Sequence, residues 1–201
     1  MSQKKYLDLV GLTAYDRKLK EWFKAGVVDI TDDAVRALFV TSVELPPDNE
    51  IWYTSSDGNI VVPQYLSNFG AGFVENVYED GKGILRFNEP VTKIPYSSNS
   101  RVAAEYYGAF YKCSNLTSII IPNNVTTIES QAFYGCSSLT SIIIPNSVTS
   151  IGGWAFEFCS GLTTIIYEGT QEQWNTITKG GEWNYKVPAT YVQCTDGQVS
   201  L

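Results

Sequence analysis

Residues 110–132 read FYKCSNLTSIIIPNNVTTIESQA and residues 133–155 read FYGCSSLTSIIIPNSVTSIGGWA, so that 16 of the 23 aligned positions are identical. A third copy begins at Phe156 with FEFCSGLTTIIYEG and then departs from the pattern. Self-similarity at a fixed period of this length is the signature of repeat architectures, in which each unit stacks on the next. The stretch from Phe110 to Tyr167 therefore predicts a short solenoid.

Each rung contains the spacing Leu116-x-x-Ile119-x-Ile121, which predicts a β-strand whose alternate residues point to opposite faces. We expect Ile119 and Ile121 on the inner face, and Ser118 and Ile120 on the outer face. Leu116 and, on the returning turn, Val125, Ile128, Ala132 and Phe133 should complete the inward set. Because the spacing recurs every 23 residues, the strands of successive rungs should lie parallel and form one face of the solenoid.

The outer side of these strands is the candidate binding surface. Three stacked isoleucines would form an exposed apolar stripe, and such patches often mark interaction surfaces. The alternative is that capping segments cover the stripe, or that it only strengthens strand pairing. The candidate residues are Ser118, Ile120, Ser141, Ile143, Thr164 and Ile166, with Arg86 extending the isoleucine column into an earlier, degenerate rung.

Three of the four cysteines, Cys113, Cys136 and Cys159, recur every 23 residues and should stack in one column. Adjacent rungs lie about 4.8 Å apart, which is within disulfide reach, but stacked side chains point the same way. We predict a structural thiol ladder, with an oxidisable pair as the alternative. The spacing is unlike the Cys-x2-Cys clusters of zinc sites, so we predict no metal site.

Two kinds of structure are predicted before the repeats. In residues 1–42, apolar residues recur at the spacing of one helix face, which predicts a helical segment. Residues 43–94 predict a β-hairpin module, because Asp-Gly between apolar runs favours a type I′ turn. The apolar helix residues are Leu12, Tyr15, Leu19, Trp22 and Phe23, and the two hairpins join 51–54 to 59–62 through Asp57-Gly58 and 73–78 to 83–87 through Asp80-Gly81.

The β-hairpin module is predicted to run into a degenerate first rung. Residues 85–94 share with residues 119–128 the skeleton apolar-x-apolar-x-x-x-Val-Thr-x-Ile. An 11-residue insertion, about Pro95 to Glu105, follows, and its Ser-Ser-Asn-Ser core predicts an exposed loop. We assign the repeat region to residues 95–167.

Residues 168–201 predict a cap over the open end of the solenoid. Thr170 and Gln173 fit a capping box at the start of a short helix, which Gly180-Gly181 should end. Asp196-Gly197 predicts a closing hairpin. With helices before and after a parallel β-solenoid, the predicted fold class is α+β.

The overall composition argues against several kinds of partner. The net charge of −7 disfavours nucleic acid and anionic membrane surfaces, since both are bound through clustered Lys and Arg. No apolar run approaches the roughly 18 residues of a membrane span. The N-terminus also lacks the apolar core of a signal peptide. We therefore expect neither membrane insertion nor a signal peptide.

The motifs of the main enzyme classes are missing from the sequence. There is no histidine, which removes Ser-His and Cys-His catalytic pairs and histidine-type metal sites. There is also no Gly-rich phosphate loop and no Gly-x-Ser-x-Gly elbow. We predict no enzymatic activity and no cofactor, with a carboxylate pair assembled by the fold as the alternative.

The skeleton AF-x-x-C-x-x-L-T-x-I-x-I-P-x-x-V-T-x-I stands at residues 109–128 and 132–151, with a half copy from Ala155. It closely resembles the BspA-like leucine-rich repeat, also called the Treponema pallidum type. The tail, with Gly169-Thr170, Trp174 and 194–197, is similar to endings found in gut Bacteroidales members. The resemblance implies a leucine-rich-repeat solenoid and a bacterial, surface-associated, non-enzymatic protein implicated in adhesion.

Two functions are therefore considered. The first is a protein-interaction or adhesion-type module that presents its repeat surface to a protein or glycan partner, on the cell surface or secreted. The second is a structural or display component of a phage-like particle or surface assembly, docked through the N-terminal helix. Residues 5–12 and 30–39 look similar to leaders of phage structural proteins, which favours a virion or cytoplasmic location and an oligomer formed through residues 1–40.

Overall fold

The computed structural model describes residues 46–98 and 106–201 of the chain. The predicted helical segment, the predicted oligomer contact through residues 1–40 and most of the predicted insertion loop lie outside these residues. The division of the chain into four regions stays a prediction.

The described residues form an eight-stranded sheet, a four-stranded sheet and a two-stranded ribbon. The order of strands in the large sheet is β14-β13-β11-β9-β7-β1-β3-β2, and in the small sheet β12-β10-β8-β4; β5 pairs with β6. The strands are β1 (Glu50–Ser55), β2 (Phe73–Glu79), β3 (Lys82–Phe87), β4 (Lys93–Ile94), β5 (Tyr96–Ser98), β6 (Tyr106–Gly108), β7 (Leu116–Ile120), β8 (Thr127–Ile128), β9 (Ser141–Ile144), β10 (Ser150–Ile151), β11 (Thr164–Tyr167), β12 (Thr178–Lys179), β13 (Tyr191–Cys194) and β14 (Gly197–Ser200). A 3-10 helix spans Leu66–Phe69 and the helix α1 spans Gln171–Thr176.

The repeat builds a parallel β-solenoid, as its period predicted. Strands β7, β9 and β11 lie side by side in the large sheet, and Ile119, Ile142 and Ile165 occupy equivalent positions. The returning part of each rung adds a two-residue strand to the small sheet, where β8, β10 and β12 also run parallel. This second, shorter sheet was not predicted from the sequence.

A column of identical side chains runs through the core of the solenoid. The rings of Phe110, Phe133 and Phe156 stack face to face, with centroids 5.2 and 5.1 Å apart and planes 3° from parallel in both pairs. The inner face predicted for one rung is confirmed, because all of its members are at most 2% exposed. These are Leu116, Ile119, Ile121, Val125, Ile128, Ala132 and Phe133.

Of the two hairpins predicted before the repeats, one is confirmed and one is wrong. Asp80-Gly81 joins β2 to β3 as an antiparallel hairpin. Residues 59–62 form no strand; β1 instead pairs with β3 and β7. The segment after β1 lies against the inner face of the sheet, where the Val61 N–H donates to Tyr53 Oη (3.2 Å) and Asn76 Nδ2 donates to the Val61 carbonyl (2.7 Å).

The degenerate first rung is confirmed in one sheet and corrected in the other. Strand β4 pairs in parallel with β8, so that Ile94 lies beside Ile128 as the shared skeleton requires. In the large sheet, however, β1 separates β3 from β7 and runs antiparallel to both. A strand formed by residues outside the repeat pattern therefore occupies the place predicted for the first rung.

The predicted cap helix and closing hairpin are both confirmed. The Thr170 side chain accepts a hydrogen bond from the Gln173 N–H and the Gln173 side chain accepts one from the Thr170 N–H, which completes the capping box of α1. Strand β13 pairs with β11 and with β14, and so continues the large sheet. The helix ends at Thr176, before Gly180-Gly181, because residues 178–179 join the small sheet as β12.

Candidate functional site

A single row of side chains crosses the outer face of the whole eight-stranded sheet. Each member is the cross-strand neighbour of the next, from β2 at one edge to β14 at the other. Six consecutive members are apolar and half-buried. In order, this outer row consists of Val77, Ile84, Trp52, Ile120, Ile143, Ile166, Gln193 and Gln198.

The isoleucines predicted from the repeat are the middle of this row. Ile120, Ile143 and Ile166 lie in register on adjacent strands and remain partly exposed. With strands about 4.8 Å apart, the six apolar members extend over roughly 24 Å. A strip of this length is large enough for an extended segment or a helix of a partner to lie along it.

The polar column predicted beside the isoleucines is only partly accessible. Ser118 and Ser141 are 4% and 1% exposed, whereas Thr164 is half-buried. The Ser118 hydroxyl lies 2.6 Å from Thr54 Oγ1 on β1, and the Ser141 hydroxyl has no hydrogen-bond partner within the described residues. Because a serine side chain is shorter than its isoleucine and threonine neighbours, these two hydroxyls are recessed and are poor candidates for direct contact.

Arg86 does not extend the isoleucine column, which corrects the prediction. Its cross-strand neighbours are Glu50 and Glu75, and it forms ion pairs with both carboxylates. Burial alone would raise the pKa of Glu50, but hydrogen bonds donated by Trp52 and Arg86 outweigh it and lower that pKa. Arg86 therefore belongs to a charged row beside the outer row.

Trp52 is the member of the outer row that the sequence did not indicate. Its ring lies between Ile84 and Ile120, and its indole N–H donates to Glu50 Oε2 at 2.6 Å. The Lys82 ammonium lies 3.7 Å from the ring centroid, a cation–π contact. The alternating pattern of β1 places Trp52 and Glu50 on one face, but no local signal indicates that this strand neighbours β7.

The second candidate feature is a groove on the small sheet. An open groove of about 400 Å³ is lined by Tyr96, Thr127, Ile128, Glu129, Ser130, Ser150, Ile151, Gly152, Thr178 and Gly180. Glu129 accepts a 2.6 Å hydrogen bond from the Tyr96 N–H, and its other oxygen lies 3.3 Å from the Lys93 ammonium. The Glu129 carboxylate is therefore already bound by groups of this protein.

The three repeat cysteines form a column inside the solenoid, and all four cysteines of the chain are buried free thiols. Cys136 Sγ donates to the Phe110 carbonyl and Cys159 Sγ to the Phe133 carbonyl, both at 2.9 Å. These two thiols therefore each link one rung to the rung before it, whereas Cys113 Sγ donates to the Val62 carbonyl at 3.5 Å. Burial raises the pKa of Cys113 to about 12 and that of Cys136 well above its usual value.

We expect the native thiols to be unreactive, because all four are buried away from the reagent and because burial raises the pKa of Cys113, Cys136 and Cys194, which disfavours the nucleophilic thiolate. A water-soluble aromatic disulfide reagent at mildly alkaline pH should label no cysteine in the folded protein within minutes. After addition of urea it should label all four cysteines. Labelling of Cys136 in the native protein at a rate faster than global unfolding would show that the column opens locally.

Two further features of the described residues concern metals and membranes. Within 46–98 and 106–201, no group of three or more Cys, Asp or Glu side chains is arranged to hold a metal ion. No helix in this part of the chain has the length and apolar character that a membrane span requires.

Comparison with known proteins adds three findings. Residues 104–179 match the family described as "BspA type Leucine rich repeat region (6 copies)". Part of the chain is similar to the solved structure of a leucine rich cell surface protein from Faecalibacterium prausnitzii A2-165, with 46% sequence identity and a TM-score of 0.34. The match covers 34% of this chain and 18% of that protein, so the chain spans less than a fifth of its length. No curated protein matches the chain.

Proposed function

We propose that this chain, which carries a BspA-type leucine-rich repeat region at residues 104–179, binds a partner protein along the outer row. As a class, such repeats are protein-interaction and adhesion modules. The specific proposal here is that the partner contacts the apolar members from Val77 to Ile166. We further propose, from the similarity to a leucine rich cell surface protein, that binding takes place at a cell surface.

The observation that carries the proposal is the continuity of the row. Scattered exposed apolar residues are normal on proteins, whereas a contiguous exposed patch usually marks an interaction site. Here six apolar side chains adjoin one another across six strands, and none of them is fully buried.

Trp52 is the proposed energetic centre of the contact. Binding energy in protein interfaces concentrates in a few central residues, and tryptophan is enriched among them. The bond from its indole N–H to Glu50 and the Lys82 ammonium at its ring hold the side chain in place before a partner arrives. A fixed side chain loses less conformational entropy on binding than a mobile one.

Polar residues beside the row favour a protein partner whose contact surface combines apolar and polar residues. Glu50, Glu75 and Arg86 form a charged cluster on one side, and Thr54 and Thr164 lie on the other. Protein interfaces combine an apolar centre with a polar rim in this way.

The test begins with identification of the partner. Gln193 is the first polar member of the row, next to Ile166. A photocrosslinking amino acid at this position would capture the bound protein in cells that express the chain. The purified partner is then titrated against the wild-type chain and against a variant with Ile120→Ser, Ile143→Ser and Ile166→Ser. We expect the triple variant to bind at least tenfold more weakly, a loss of about 1.4 kcal/mol.

The matched control carries the same kind of change away from the row. Ile60 and Val62 are 44% and 62% exposed, so Ile60→Ser with Val62→Ser removes accessible apolar surface elsewhere. We expect this control to bind like the wild type. If the triple variant keeps wild-type affinity while its circular dichroism spectrum and melting curve are unchanged, the outer row is not the binding site.

The phage-assembly alternative stays a prediction. It depends on docking through the N-terminal helix, and that segment lies outside the described residues. Nothing observed in residues 46–98 and 106–201 favours it over the interaction module.

A further inference from the structure

Strand β2 forms one edge of the eight-stranded sheet. It is seven residues long, and within the described residues it pairs only with β3. The edge strand at the opposite end, β14, has four residues. A long edge strand is a template on which an extended segment of another chain can pair through backbone hydrogen bonds.

The hairpin register shows which backbone groups face the open edge. In a hairpin closed by two residues, the pair beside the turn exchanges both ladder bonds, and bonded pairs then alternate along the strands. Glu79 and Lys82 are that pair, so Glu75, Val77 and Glu79 bond to β3. The backbone N–H and C=O groups of Asn76 and Tyr78 therefore point to the open edge.

The start of β2 sets the length of the usable edge. A register shift between Phe73 and Glu75 interrupts the ladder, so the regular part of the strand runs from Glu75 to Glu79. Phe73 and Val74, just before it, are 38% and 48% exposed. They offer apolar surface to a residue at the end of an added strand.

The side chains of β2 determine which charges a segment paired with this edge should carry. On the outer face, Glu75 and Glu79 flank Val77, and Glu79 is exposed. Opposite charges on directly paired residues stabilise neighbouring strands, whereas like charges destabilise them. A matching segment therefore carries Lys or Arg beside each glutamate and an apolar residue beside Val77.

The same charges disfavour pairing between two copies of this chain. Two β2 strands would bring four glutamates onto one face of the joined sheet, between two chains that each have a net charge of −7. Charged edge residues are a common protection against association of identical sheets.

From these observations we propose that the β2 edge binds a basic, extended segment of a partner protein as a ninth strand of the sheet. The segment follows the pattern basic-x-apolar-x-basic, and its apolar residue continues the outer row beyond Val77. This site shares Val77 and Glu75 with the proposed contact along the outer row, but its backbone groups at Asn76 and Tyr78 and the Glu79 carboxylate are separate, so either contact can exist without the other.

The proposal is tested with synthetic peptides and the full-length chain labelled with ¹⁵N. The peptide TKTVTKT places two lysines and a valine on one face, and TETVTET is its charge-reversed control. We expect TKTVTKT to bind with a Kd below about 1 mM, with the largest amide shifts at Asn76 and Tyr78. The acidic peptide should produce no shifts there. Glu79→Lys, a change at an exposed position, should weaken TKTVTKT and strengthen TETVTET.

Backbone methylation distinguishes strand addition from simple charge attraction. In antiparallel pairing, the two threonines beside the valine exchange hydrogen bonds with Asn76 and Tyr78. N-methylation of these threonines should weaken binding about tenfold or more, whereas N-methylation of the lysines, whose N–H groups point away, should change it little. The Ile120→Ser, Ile143→Ser, Ile166→Ser variant should bind TKTVTKT like the wild type.

Several results would overturn the proposal. These are the absence of shifts in β2 at about 1 mM peptide, equal effects of the two methylation patterns, or largest shifts at the isoleucines of the outer row. Sedimentation showing a dimer of the wild-type chain, in which the Asn76 and Tyr78 amides are protected from hydrogen exchange, would identify a second copy, not a basic partner, as the occupant of this edge.

Discussion

A chain that ends at Tyr167 is expected to lose its cooperative folding transition. Removal of residues 168–201 exposes the last rung, because Trp174 packs on Tyr167 (5.3 Å between ring centroids) and Trp183 on Phe156 (6.0 Å). It also removes β13, the strand that protects the edge of β11. A short solenoid depends on its caps, since no rung buries its core alone.

Circular dichroism melting curves and gel filtration measure this effect. We expect the truncated chain to give a broad, non-sigmoidal melt or to aggregate through the exposed β11 edge. Deletion of Leu201 alone, which is 41% exposed, is the control and should leave the transition intact. A soluble, monomeric 1–167 chain with a sharp melt would contradict the role given to the cap.

The second large effect is expected from Phe133→Ala. Phe133 is fully buried and stacks between Phe110 and Phe156, so its removal leaves a cavity with aromatic walls on both sides. Substitutions of this kind typically cost about 3–5 kcal/mol. Because rungs stabilise one another, the loss should affect the whole solenoid and lower the midpoint of a single urea transition.

Phe158→Ala is the matched control for this substitution. Phe158 occupies the outer side of a turn, where it is half-buried and makes edge contacts with Tyr134 and Tyr185. Removal of a partly exposed ring loses less buried area, so the expected cost is well below that of Phe133→Ala. Equal losses for the two variants would show that the stacked column has no special part in stability.

Features determined by the repeat period or by a few neighbouring residues were predicted correctly. The 23-residue period alone places the phenylalanine column, and the Asp80-Gly81 pair and the Thr170 capping box act over a few residues. The wrong hairpin at Asp57-Gly58 shows the limit of such signals. There the chain bends at residues 56–59, with Gly58 at φ 69°, but the Val61 N–H that follows donates to the Tyr53 hydroxyl, and the chain does not return beside β1 as a strand.

The candidate site was predicted only in part, because most of it depends on contacts between distant residues. The repeat identifies Ile120, Ile143 and Ile166 as one column. It contains no information on β1, which brings Trp52 beside Ile120 from 68 positions earlier in the chain. The burial of Ser118 and Ser141 likewise depends on the sizes of neighbouring side chains, which a two-residue alternation does not express.

The antiparallel strand β1 has a consequence for how such a protein can change in evolution. Gene duplication lengthens a solenoid by adding a further unit to its run of parallel strands. Strand β1 is antiparallel to β7 and ends that run on one side. Copied units can therefore be added only between β1 and the C-terminal cap. Each added copy of residues 133–155 would add one isoleucine to the outer row, so the number of copies sets the reach of the binding surface.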